Sequence, residues 1–166
     1  MQYMNKVFLL IGGNMGDRLQ NLHQAIALLS ATCGPVIQQS AVYETAAWGK
    51  TDQAAFLNQA LLLTTSLTPQ ELITTILSVE EEMGRLRMEK NGPRVIDIDI
   101  IFYNELVMQE PNLTIPHPQL QNRRFVLVPL HEIAPTFVHP VLHKTITELL
   151  EECKDDLAVE KVSGER

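Results

Sequence analysis

The sequence predicts an α+β sandwich: helices packed on a largely antiparallel sheet, with a C-terminal hairpin and helix as an extension. Three observations carry this expectation. The 166 residues are 45% hydrophobic and 20% charged, the balance of one globular domain that can bury a core without staples. Apolar runs of strand length alternate with two amphipathic stretches in β-α-β-β-α-β order. No apolar run approaches the roughly 20 residues needed to span a bilayer, which excludes a membrane-spanning helix.

Residues 6–11 form a short apolar run and read as the first strand. Gly12, Gly13 and Gly16 surround Asn14 and read as a tight turn. Asp17 can cap a helix over Arg18–Thr32, with Leu19, Leu22, Ile26 and Leu29 on one stripe and Gly34-Pro35 as its stop. Residues 36–43 read as a strand and 44–55 as a loop. Phe56–Thr65 reads as another strand, although its alanine and leucines also suit a helix. Thr68-Pro69-Gln70-Glu71 is a capping box with proline at the first helical position. The helix it opens turns Leu72, Ile76, Val79 and Met83 inward and stops at Gly84. A polar loop precedes the clearest strand, 95–103. Asn104-Glu105 then suits a hairpin turn into 106–108, followed by a loop punctuated by Pro111, Pro116 and Pro118. A short apolar segment, 125–133, and a final helix capped by Thr145 and Glu148 complete the chain. The β-α-β-β-α-β order is the ferredoxin-like arrangement. Without repeats or linkers, residues 1–166 read as one domain, with a peripheral, solvated tail from about 154.

Charge and cysteine usage narrow the function classes. The formal net charge is -7, which argues against a nucleic-acid partner. Cys33 and Cys153 make neither a disulfide framework nor a zinc spacing, so a reducing, cytoplasmic setting is expected. Against the acidic background, Arg85, Arg87, Lys90 and Arg94 crowd together, and Arg123-Arg124 adds a second pair. Local arginines in an acidic protein suit an anion site as well as a solvated loop. Asp97 and Asp99 are the sharpest feature. Strand alternation places them on one face with Val95, Ile101 and Tyr103, opposite Ile96, Ile98, Ile100 and Phe102. The two carboxylates would then stand roughly 6.5–7 Å apart and repel each other. A divalent cation such as Mg²⁺, shared with substrate phosphates, would relieve that repulsion. A solvated edge strand would also show this alternation. Arginines for phosphate beside aspartates for metal suit phosphoryl transfer. The chain lacks both the Gly-x-x-x-x-Gly-Lys loop and the Gly-x-Gly-x-x-Gly turn, so any use of ATP relies on neither cradle.

The segment Lys90-x-Gly-Pro-Arg94-x-x-Asp97-Ile98-Asp99-Ile100-Ile101 closely resembles the signature of the 6-hydroxymethyl-7,8-dihydropterin pyrophosphokinase family of folate synthesis. The likeness extends, in family order, to Ile11-Gly-Gly-Asn14-Met-Gly-Asp, Tyr43-Glu-Thr45, Phe56-Leu-Asn58, Glu80-x-x-x-Gly84-Arg85-x-Arg87, Thr114-Ile-Pro-His117 and Asn122-Arg123-Arg-Phe125. It covers about residues 5–150. The resemblance implies transfer of pyrophosphate from ATP to the hydroxymethyl oxygen of the pterin, with release of AMP. It implies ATP as co-substrate and two Mg²⁺ held by Asp97 and Asp99, with Arg85 and Arg94 gripping the transferring phosphates and Arg87 as a helper. His117 and Arg123 would contact the triphosphate, while Glu80, Thr114 and the backbone at Ile100 would surround the base and ribose. Phe56 and Phe125 would sandwich the pterin, Asn58 would read its edge, and Thr45 with Ala47 would add hydrogen bonds. Asp97 would also face the pterin, and Trp48 would shape the pocket rim. The implied partners are these two small molecules, with no nucleic acid, no membrane and no obligate protein partner.

Four positions depart from the family pattern: Trp48, Asn91, Asn112 and Arg124. Asn91 stands where the family often has tryptophan, in a loop one residue short. Two alternatives have the same fold without catalysis, a nucleotide-binding module and an RNA-binding module. The acidic charge and the Asp-x-Asp face argue against the RNA reading.

Overall fold

The computed structural model describes residues 4–46, 54–84 and 95–162. Its central strands are β1 (Asn5–Gly13) and β4 (Phe56–Thr65), antiparallel along their whole length from Asn5 opposite Thr65 to Gly13 opposite Leu57. β2 (Val36–Gln39) and β3 (Tyr43–Thr45) lie in turn along the other edge of β4. β5 (Asp97–Tyr103) lies along the free edge of β1. The order β5-β1-β4-β3 is the ferredoxin-like topology anticipated from the element order.

The helix signals hold where capping chemistry is explicit. In α1 (Arg18–Thr32) the Asp17 side chain accepts the Gln20 N–H at 3.1 Å. In α2 (Pro69–Glu82) the Thr68/Glu71 box is reciprocal, at 3.2 and 2.9 Å. Both helices pack on the sheet face lined by Val7, Leu9, Ile11, Leu57, Leu61, Leu63, Ile98 and Ile100. The strand alternative for Phe56–Thr65 prevails over helix because alternate residues feed two separate cores: Leu57, Leu61 and Leu63 the first, Ala60 and Leu62 the second.

That second core marks the main difference from the sequence reading. Residues 125–133, left there without a helix, belong to α3 (Arg124–Ile133). Pro129 and the valines speak against helix locally, yet burying Val126, Leu127 and Leu130 against the sheet outweighs propensity. With α4 (Ile146–Glu152), α3 covers the sheet face formed by Phe8, Leu10, Ala60, Ile101 and Phe102. The extension thus turns a two-layer sandwich into three layers.

Smaller corrections have local causes. β1 continues through Gly12 and Gly13, so the turn begins at Asn14 and only Gly16 of the three glycines has a positive φ, 68°. The single strand read over 36–43 divides at Ser40, which exchanges both backbone bonds' worth of pairing with Ala60: its N–H donates to the Ala60 carbonyl and its Oγ accepts the Ala60 N–H, each at 2.9 Å. The hairpin lies later than 106–108, as β6 (Met108–Glu110) and β7 (Leu113–Ile115), because Asn104 caps the end of β5 by accepting the Lys6 N–H at 2.8 Å. Strict alternation in β5 also fails. Phe8 faces Phe102 and Leu9 faces Ile100, leaving Ile101 as a bulge. Ile101 and Phe102 therefore both enter the second core, and Tyr103 returns to the first. The segment from 154, read as a peripheral tail, carries β8 (Val159–Lys161), which pairs with β3. Among the described residues no helix is long and apolar enough to cross a membrane.

Candidate functional site

Register assembles the candidate residues into rows. Asp97 lies opposite Gly12, Gly12 opposite Asn58, and Asn58 opposite Tyr43. The next row holds Asp99, Leu10 and Ala60; on the other side Phe56 lies opposite Thr45. Directly opposed residues share a sheet face, so Asp97, Asp99, Asn58, Phe56 and Thr45 all stand on the α3 side. Asp99 is exposed, Asp97 and Phe56 are half-buried, and Asn58 and Thr45 are buried. This face is apolar toward Phe8 and Phe102 and polar toward Gly12.

Gly12 makes the row possible. A Cβ there would stand 2.1 Å from Asn58 Oδ1 and 2.6 Å from the Leu57 carbonyl oxygen. The Asn58 amide thus lies across the gap between β4 and β5, where a side chain would normally be. Among the described residues, buried Thr45 Oγ1 has no hydrogen-bond partner. A buried hydroxyl left unpartnered carries a desolvation penalty that a bound ligand would remove.

Two polar side chains just past β1 hold the segment leading into Phe56. Asn14 Nδ2 donates to the Ala54 carbonyl at 3.0 Å. Arg18 Nη1 donates to the Ala55 carbonyl at 2.7 Å and pairs with Glu44 at 2.9 Å. Asn14 and Glu44 lie in family-like motifs with no role readable from sequence, and Arg18 has none either, because their partners are 26 to 40 residues away.

The edge of β5 gathers two more candidates. Glu80, which alone would pass for a solvated helix charge, is buried, and its Oε2 accepts the Ile98 N–H at 2.7 Å, between the two aspartates. At the bulge, the Ile101 carbonyl accepts the His117 N–H at 3.1 Å. His117 Nδ1 accepts the Gln119 N–H at 3.2 Å, so the neutral ring carries its proton on Nε2. Burial, reinforced by the Arg123 charge, lowers the His117 pKa to about 4. Arg123 is exposed, with its guanidinium carbon 5.9 Å from the centroid of the Phe125 ring. Thr114 sits on β7 opposite Gln109, half-buried, and Ile100 is buried in the first core. Ala47, Trp48, Arg85, Arg87 and Arg94 lie outside the described residues.

The acidic pair suits a hard cation whose remaining ligands come from elsewhere. Among the described residues no group of three or more His, Cys, Asp or Glu could hold a metal ion. Two carboxylates completed by substrate phosphates is the usual Mg²⁺ arrangement.

A ferredoxin-like sheet with carboxylates, an amide and a buried hydroxyl on one polar end is compatible with binding a small polar molecule and a cation. The family model described as 7,8-dihydro-6-hydroxymethylpterin-pyrophosphokinase (HPPK) matches residues 8–135. The chain belongs to this family and is an enzyme of its pyrophosphokinase class. It is 46% identical over 143 residues to the 2-amino-4-hydroxy-6-hydroxymethyldihydropteridine pyrophosphokinase of Synechocystis sp., covering 86% of this chain and 73% of that protein. It is 42% identical over 160 residues to the protein of the same name from Methylorubrum extorquens, covering 96% of this chain and 99% of the relative. In fold it resembles the Plasmodium falciparum HPPK-DHPS crystallised with pterin and p-hydroxybenzoate, with a TM-score of 0.75 at 20% identity. That match covers 91% of this chain, which spans 43% of the Plasmodium chain.

Proposed function

We propose that this chain transfers pyrophosphate from ATP to the hydroxymethyl group of 6-hydroxymethyl-7,8-dihydropterin, releasing AMP, as a step of tetrahydrofolate biosynthesis. The observation that carries the reading is the shared face of Asp97, Asp99, Asn58, Phe56 and Thr45, with the Thr45 hydroxyl buried and unpartnered among the described residues. The hydroxymethyl oxygen forms a bond to the β-phosphorus in line as the bond from that phosphorus to the α,β-bridging oxygen breaks. Two Mg²⁺, held by Asp97 and Asp99, would neutralise triphosphate charge and lower the pKa of the attacking hydroxyl.

The remaining roles fall to the chain's own groups. Phe56 and Phe125 stack on the pterin, a contact worth about 0.5–1.5 kcal/mol per pair beyond burial. Asn58 reads the donor and acceptor edge of the ring, and Thr45 Oγ1 gains the partner it lacks. The backbone near Ala47 would add hydrogen bonds to the pterin, and Trp48 is assigned to the pocket rim. His117 donates from Nε2 to the triphosphate, which Arg123 also contacts, and the roles of gripping the transferring phosphates fall to Arg85 and Arg94, with Arg87 as a helper. Thr114 and the Ile100 backbone adjoin the base and ribose. Glu80 is assigned to the same place, and its bond from the Ile98 N–H holds the strand between the two aspartates. One domain over residues 1–166, acting in the cytoplasm on two small molecules, completes the proposal.

The decisive test is product identity. Purified protein with ATP, Mg²⁺ and the hydroxymethyl pterin should release AMP, read by ion-exchange chromatography; ADP would indicate an ordinary kinase. Asp97→Ala and Asp99→Ala should each lower turnover at least about 100-fold, as loss of transition-state electrostatics does. Their circular dichroism should match that of the parent protein. Variants that unfold would mean that the pair is structural.

A further inference from the structure

The helix carrying Phe125 opens without a cap of its own. Arg123, at its N-cap, makes no side-chain capping bond. The acceptor comes instead from 31 residues downstream: Asp155 Oδ2 accepts the Arg124 N–H at 3.0 Å. A carboxylate at this point also faces the positive end of the helix dipole. The second oxygen of Asp155, Oδ1, accepts the Leu157 N–H at 3.1 Å and turns the chain into β8. β8 then pairs with β3, placing Val159 opposite Thr45, and the Val162 N–H donates to the Val42 carbonyl at 2.9 Å.

One segment thus fastens two walls. It fixes the start of α3, which carries Arg123 and Phe125, and it flanks the strand that carries Thr45. The far end of α3 is held independently. There Glu132 accepts the Tyr43 hydroxyl at 2.6 Å and the Ala41 N–H at 3.2 Å. Asp155 stands four residues before Val159, which lies opposite Thr45, so it ties the start of α3 toward the Thr45 end of β3 while Glu132 ties the other end to residues 41–43.

We propose that Asp155 is a positioning residue of the pterin pocket: through the Arg124 N–H it sets where Phe125 stands relative to Phe56 and Thr45. The proposal rests on the pyrophosphokinase reading above. Asp155 touches no substrate in this scheme; it acts through the first turn of α3.

The test compares Asp155→Ala, Asp155→Asn and Thr145→Ala with the parent protein. Pterin affinity is measured by calorimetric titration with Mg²⁺ and a non-hydrolysable ATP analogue, and KM and kcat from AMP release. Asp155→Ala should weaken pterin binding and raise the pterin KM about tenfold, the scale of a lost charge-assisted hydrogen bond, with kcat unchanged within about twofold. Asp155→Asn keeps an oxygen for the Arg124 N–H and should fall about threefold below the parent in affinity. Thr145→Ala removes the capping box of α4 and should lower Tm without moving the pterin affinity. Parent-like pterin affinity in a folded Asp155→Ala overturns the proposal, as does an equal loss in Thr145→Ala. Should Asp155→Ala not fold, Asp155→Asn decides, and parent-like affinity there overturns it. A parent protein that neither binds pterin nor releases AMP overturns the functional reading itself, an outcome distinct from an active parent matched by its Asp155 variants.

Discussion

Gly12 shows how much one missing side chain can organise. Its neighbours across the sheet are Asp97 on one side and Asn58 on the other, and the Asn58 amide occupies the space a Cβ would fill. In Gly12→Ala the amide must swing away, or β4 must retreat from the 2.6 Å contact with the Leu57 carbonyl. Overpacking of this kind costs about 1–3 kcal/mol. Pterin affinity should fall at least about tenfold, because the amide would no longer face the ring edge. Gly16→Ala is the control. Its positive φ of 68° is strained for alanine, but among the described residues a Cβ there meets only Asn21 Nδ2, at 3.7 Å. It should lower Tm and leave pterin binding intact; equal binding losses in the two variants would refute the role given to Gly12. His117 makes a second prediction at this scale. Its folded pKa, about 4, lies below the ordinary 6.5, so over that interval the unfolded chain binds a proton that the folded chain excludes. Stability from this group is complete above pH 6.5 and is lost as pH falls toward 4. His117→Gln should flatten that part of a Tm-against-pH curve. A shallower slope should remain from His139, whose pKa is lowered by burial and by His143. An unchanged slope in His117→Gln would show that His117 is not held neutral.

Elements were legible where the signal was local. Asp17, Thr68-Pro69 and Thr145-x-x-Glu148 declare three helix starts because each cap bonds within three residues. α3 was hidden because its cap, Asp155, is 31 residues away and Pro129 interrupts its pattern. The bulge in β5 was hidden for a related reason. Alternation is a property of one strand, but register belongs to two, and Ile101 is displaced only because β1 passes from Phe8 to Leu9 opposite it. That displacement has a use: the Ile101 carbonyl turns outward and receives His117, which a regular strand would have left unanchored. Asp97, Asp99 and Asn58 stand out as candidates by type, carboxylates and an amide in otherwise apolar strands, whereas the other candidates rest on the family resemblance. Their supports were not legible, since Asn14 and Glu132 look like ordinary surface polar residues until long-range pairing is known, and Glu80 was a candidate through the family resemblance alone.

At the scale of the molecule, the same three strands serve two cores. β1 sends Val7, Leu9 and Ile11 toward α1 and α2, and Phe8 and Leu10 toward α3 and α4. Neither apolar layer can lose its order without exposing one side of the strands that support the other. The second layer is further tied by Phe102, whose ring centroid lies 4.5 Å from that of Phe137 and 5.5 Å from that of buried His139. His139 in turn holds its own turn by accepting the N–H groups of Val141 and Leu142, both at 3.1 Å. This sharing predicts a single cooperative transition in scanning calorimetry for the two layers together. Leu127, fully buried on α3, and Leu61, fully buried on β4 facing the other helices, probe the two layers separately. Leu→Ala at either position should cost about 2.7–5 kcal/mol. At about 2–4 °C per kcal/mol for a chain of this size, each should lower Tm by at least about 5 °C and leave one peak. If Leu127→Ala instead split the peak into two, with an early transition that abolished pterin binding, α3 and α4 would be a separately folding layer. The one-domain reading would then fail, while the assignment of the sheet residues to the site would stand.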